Sequence, residues 1–187
     1  MSALSFRPSL TLKGRKFKGL RGWAGKPFHP PLTDVPVGAY TLVAAFDVIS
    51  YFGKHQPWAR DLYRSGTFTM LGGAAVSLLA ALTGYWDWLK STKKGTQARR
   101  TVNAHAWTML TVTALVLVDI VMRWFLYEYV RYTPGRVMVV SVVVFALTAL
   151  GGTIGGGLAY DYGFNVETSG DHPVWHVSDV DVLPGDH

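Results

Sequence analysis

Apolar residues in this chain fall into four long blocks, about 35–52, 68–89, 105–127 and 137–160, separated by short stretches of proline, glycine and basic residues. Each block has about the 20 residues that an α-helix needs to cross the hydrocarbon of a bilayer. The fourth contains MVVSVVVFALTAL, which is apolar all round, and no amphipathic soluble helix explains it. The third, HAWTMLTVTALVLVDIVMRWFLY, carries His105 at one end and Asp119 and Arg123 near the other. At about 100° per residue, His105, Val112, Val116, Asp119 and Arg123 lie within roughly 40° of one line. Charged groups at membrane depth face protein or water and not lipid, so other helices must surround this stripe. The pattern predicts an all-α, polytopic membrane protein, a four-transmembrane-helix bundle.

Punctuation residues set the expected boundaries. Pro27, Pro30, Pro31 and Pro36 predict an extended lead-in, with Asp34 capping the first helix and His29 outside it. Gly95-Thr96 reads as a break and cap before the third helix, which then starts ahead of His105. Pro134-Gly135 marks the last turn. The expected organisation is a basic arm (1–28), a four-helix membrane domain (29–160) and an extended acidic tail (161–187).

Composition sharpens the picture. Of the 187 residues 49% are hydrophobic and only 16% charged, and the formal net charge is +6. The basic residues flank apolar segments instead of lining a folded surface, which argues for membrane topology and against nucleic-acid binding. The arm holds Arg7, Lys13, Arg15, Lys16, Lys18, Arg21 and Lys26 with no acid, interleaved with Phe17, Leu20 and Trp23. No continuous apolar run follows its first cations, so it is not read as a cleavable signal. It is expected to lie on anionic lipids. An even number of spans puts both ends on one side, and the cations of the arm and of the loop with Lys90, Lys93, Lys94, Arg99 and Arg100 make that side the cytoplasm. The tail, with Asp161, Glu167, Asp171, Asp179, Asp181 and Asp186 and no lysine or arginine, is expected to neutralise basic segments or dock a partner.

Two groups of residues are candidates for chemistry. Asp119 and Arg123 share a face at i,i+4, and Asp47 on the first span reaches a similar depth. They read either as a structural network joining the first and third helices or as a proton or ion relay. At the other end, His29, His105 and Asp87 share a membrane level. Two neutral imidazoles could ligate the iron of haem b, with Asp87 holding one ring in its tautomer, or they could simply hydrogen-bond carbonyls. Gly84, Gly151, Gly152, Gly155 and Gly156 cluster there too, as helix contacts or as room for a flat macrocycle. His172 and His176 in the tail form a weaker possible metal pair. The chain has no cysteine, which removes disulfides, thiolate iron–sulfur ligation and covalent haem attachment. No nucleophile–base motif, phosphate-binding glycine loop or hydrolytic carboxylate pair is present, so an enzyme is not expected.

HPPLTDVPVGAY followed by Phe46-Asp47, then GAAVSLLAALTGYWDWL, the histidine of NAHAWTML, and GGGLAYDYGFNV together resemble the domain-of-unknown-function 2231 family of bacterial and archaeal membrane proteins, from His29 to Val166. The resemblance implies a four-helix protein of the cytoplasmic (inner) membrane. It implies an electron-transfer setting as well, since members are found fused to or encoded beside Rieske-type iron–sulfur proteins. His29, Asp47, Asp87, His105 and Gly155–Tyr160 match the family's recurring positions, and Thr33-Asp34 stands where a second histidine is common. The leading expectation is a non-catalytic membrane component associated with electron transfer that carries a b-type haem. The alternatives are a cofactor-free accessory or scaffold subunit and, behind it, a small ion or solute carrier.

Overall fold

The computed structural model describes residues 27–91, 93–164 and 166. The basic arm up to residue 26, most of the acidic tail and the His172/His176 pair lie outside the described residues. Within them the chain forms four helices and no strand: α1 (His29–Phe52), α2 (Ala59–Ser91), α3 (Gln97–Val121), which runs on into a wider π turn over Met122–Leu126, and α4 (Gly135–Tyr160). All four are long and apolar enough to cross a membrane. Short connections make neighbours antiparallel. Helix α1 packs on α2 and along α4, α3 packs mainly on α4, and α2 meets α3 over a smaller contact.

Each expected span falls on one of these helices, but α1 starts earlier than the prolines suggested. It begins at His29 with Pro30 and Pro31 in its first turn and Pro36 inside. The first backbone N–H groups of a helix have no intrahelical acceptor, so prolines there remove no bond. His29 is therefore a helical residue and not part of an extended lead-in, and Asp34 lies within the helix instead of capping it. Helix α2 likewise begins at Ala59, which brings Arg60 and Arg64 into its first two turns. Its 33 residues reach about 50 Å, well beyond the roughly 30 Å of hydrocarbon, so both its ends stand in the headgroup layers. Thr96 caps α3 as expected, its Oγ1 accepting the Arg99 N–H at 3.2 Å after Gly95 turns the chain at φ +83°.

Burial is inverted relative to a soluble bundle. The exterior carries Leu42, Ile49, Leu78, Leu82, Leu110, Leu117, Val139 and Leu150, while Asp47, Ser50, Asp119, Arg123, Thr133, Ser141 and Thr148 are enclosed. With lipid outside, apolar side chains gain nothing by turning inward, whereas every polar group must find a partner inside. Between the two polar ends sits an apolar middle of Tyr40, Val43, Met70, Val112, Val116 and Val144.

Candidate functional site

At one end of the bundle, where the α1–α2 and α3–α4 loops meet, Arg123 is 2% exposed and Asp47 and Asp119 are 0% exposed. The Arg123 guanidinium donates from Nε to Asp119 Oδ1 at 3.0 Å and from Nη2 to Asp119 Oδ2 at 3.3 Å. The same Nη2 makes an ion pair with Asp47 across from α1. Its Nη1 points at Thr67 Oγ1, 3.4 Å away, and the Tyr63 ring lies 5.4 Å from the guanidinium carbon. The Thr133 hydroxyl donates to Asp47 Oδ1 at 3.0 Å, and the Thr133 N–H donates to Ser50 Oγ at 2.9 Å. Ser50 in turn donates to the Ala59 carbonyl at 2.7 Å. One guanidinium thus serves two carboxylates, the Thr133 hydroxyl meets the remaining Asp47 oxygen, and Thr67 of α2 accepts from the guanidinium.

The sequence pointed to Asp47, Asp119 and Arg123, and the structure brings the three together. Ser50, Tyr63, Thr67 and Thr133 went unnoticed. Ser50 follows Asp47 by three positions on the same helical face, and Thr133 precedes the Pro-Gly turn, so both carried a usable signal. The π turn over Met122–Leu126, in which the Tyr127 N–H reaches back five residues to the Met122 carbonyl at 3.0 Å, had none. Such turns widen a helix locally, and this one carries Arg123.

At the opposite end the two histidines share a geometry. His29 on α1 places Nδ1 2.8 Å from the Ala80 carbonyl of α2, and His105 on α3 places Nδ1 2.9 Å from the Gly151 carbonyl of α4. A carbonyl can only accept, so each Nδ1 donates, and in the neutral ring Nε2 is then the lone-pair nitrogen. Thr83 Oγ1 lies 3.4 Å from His29 Nδ1 and returns its proton to the Leu79 and Ala80 carbonyls. Asp87 is buried one turn further along the α2 face that carries Ala80, Thr83 and Gly84. Backbone carbonyls, and not a carboxylate, hold both Nδ1 atoms.

Glycines make room for the rings. A Cβ on Gly84 would lie 2.7 Å from His29 Cε1, and one on Gly155 would lie 3.2 Å from His105 Cε1. Gly151 faces Thr108 and Met109 of α3. Gly152 and Gly156 do not pack between helices as expected: a Cβ on Gly152 meets nothing within 4 Å, and one on Gly156 meets only Tyr160 of its own helix. The reason is helical phase, since a step of one residue turns the side chain by about 100° away from the face that Gly151 and Gly155 share. Nearby, Trp88 Nε1 donates to Asn103 Oδ1 at 2.8 Å and Arg99 lies 3.6 Å over the Trp88 ring, which ties α2 to α3 at this end.

Among the described residues no group of three or more His, Asp or Glu side chains is gathered as a metal would need. Comparison with known proteins gives one family match. A family described as "Predicted membrane protein (DUF2231)" matches residues 25–168, most of the chain. No curated protein and no solved structure matches.

Proposed function

The chain belongs to the DUF2231 family of predicted membrane proteins, and from that premise we propose that it is a non-catalytic membrane component of an electron-transfer system, in which His29 and His105 would hold a b-type haem. The observation that carries this reading is the matched presentation of the two imidazoles: each is oriented through Nδ1 by a carbonyl of the neighbouring helix, which leaves Nε2 as the ligating atom. That is how metal-binding histidines are usually set. A bare cation asks three or four donors of a protein, whereas a haem brings four of its own and asks for two. The donor set here is two. When bound, the haem supplies an iron that accepts and passes on single electrons. The chain's own part is to fix the tautomer, hold the rings on separate helices and keep the site at one membrane face.

The neighbour we assign to it is the Rieske-type or similar iron–sulfur protein that the family resemblance implies, since the chain itself has no cysteine to hold such a cluster. The setting is the prokaryotic cytoplasmic membrane with both ends on the cytoplasmic side, supported by the cations of residues 1–26 and of the α2–α3 loop. Alkaline phosphatase fused after His187 is then expected to be inactive in cells, and an active fusion would reverse the orientation.

A second reading is favoured by a specific observation. The imidazoles already tie α1 to α2 and α3 to α4 and fill the space over Gly84 and Gly155. A cofactor-free accessory subunit would use them in just that way. The absorption spectrum separates the two. Protein purified from haem-replete cells is expected to show a Soret band that shifts on reduction and is lost in His105→Ala. A colourless protein that takes up no added haem would leave the accessory-subunit reading standing.

A further inference from the structure

The loops at the Arg123 end form an open cavity of about 460 Å³ lined by Lys54, His55, Gln56, Pro57, Arg60 and Arg131, all of them exposed. Lys54 through Pro57 come from the α1–α2 loop, Arg60 from the first turn of α2, and Arg131 from the α3–α4 loop. The fold therefore gathers three fixed positive charges from two separate connections, and no carboxylate lines the cavity. Among the described residues both ion pairs belong to Arg123, so none of these three cations has a carboxylate at ion-pair distance, although Asp61 follows Arg60 in the first turn of α2. Like charges drawn together by folding repel one another, and the positive end of the 33-residue α2 dipole adds to the same field.

The fork of a guanidinium matches paired oxygens, and two such forks with an ammonium suit a tetrahedral oxyanion. Depth narrows the choice. Trp58 and Trp124, both about half exposed, flank this end of the bundle as an aromatic belt does at the headgroup level. We infer that this cavity is a phosphate-binding site, which takes either the phosphate of an anionic phospholipid headgroup or a free phosphate at the membrane surface. This inference does not depend on haem.

The test uses the full chain in two arms, each with the Arg60→Gln/Arg131→Gln double variant and with Arg136→Gln, which removes a nearby charge outside the cavity. In the first arm inorganic phosphate is titrated calorimetrically into protein in phosphatidylcholine nanodiscs. In the second, native mass spectrometry counts the phosphatidylglycerol retained from mixed-lipid nanodiscs. At least one arm is expected to register saturable binding of one phosphate group per chain. The double variant should weaken it about tenfold or more, as expected for loss of charged hydrogen bonds, with helical content by circular dichroism unchanged and Arg136→Gln close to the parent. Binding in the first arm alone identifies a free anion as the source, and binding in the second alone identifies a lipid. Two silent arms, or a loss in Arg136→Gln equal to that of the double variant, overturn the proposal.

Discussion

Arg123→Met is expected to be the most damaging single substitution in the chain, with a loss of about 3–5 kcal/mol of stability. The side chain is 2% exposed, and its removal leaves Asp47 and Asp119 enclosed at 0% exposure with no cation between them. Thr133 still donates to Asp47, but one neutral hydroxyl does not replace a guanidinium. The whole network behaves differently from one broken member. When a buried ion cluster is replaced entirely by uncharged groups of similar size, stability is often retained. The Asp47→Asn/Asp119→Asn/Arg123→Met triple variant should therefore recover most of the loss. Thermal unfolding in detergent followed by circular dichroism reads both outcomes. An Arg123→Met protein as stable as the parent would mean that water reaches the cluster, and the enclosed network described above would be wrong.

Gly84→Ala should show the second-largest effect, about 1–3 kcal/mol of overpacking, with the imidazole of His29 displaced as well. The added methyl would lie 2.7–3.2 Å from the Cε1, Nδ1 and Nε2 atoms of the ring, so the ring must swing and lose its 2.8 Å bond to the Ala80 carbonyl. Gly152→Ala is the matched control. Its methyl enters open space, and exchanging glycine for alanine inside a helix usually stabilises by about 0.5–1 kcal/mol. Opposite signs for the two substitutions in one unfolding assay, together with loss of any haem absorption in Gly84→Ala alone, are the expected result. Equal responses would remove Gly84 from the site.

The contrast between these glycines shows where sequence reading ran out. GGTIGGGLAY announces small residues without saying which of them face a partner, because a helix of near-uniform apolarity has no visible phase. On α3 the phase was legible, since His105, Asp119 and Arg123 break the apolar background on one line, and the structure encloses Val112, Val116, Asp119 and Arg123. The start of α1 departs from the expected boundary for a local reason. Three prolines within seven residues look like a barrier, yet two of them sit where a helix has N–H groups to spare. Ser50 sits in an apolar run where hydroxyls are commonplace, and Thr133 in a polar turn, so position alone hinted at them without showing a partner. Their role emerges only when α1 and the α3–α4 loop are brought within 3 Å.

Low-temperature EPR of ferric haem-loaded protein in bilayers tests most directly whether His29 and His105 act as a pair. The paired geometry predicts a low-spin signal of two imidazole ligands in the parent, which His29→Ala and His105→Ala each abolish. A parent that takes up no haem, or a low-spin signal that survives either substitution, would contradict it.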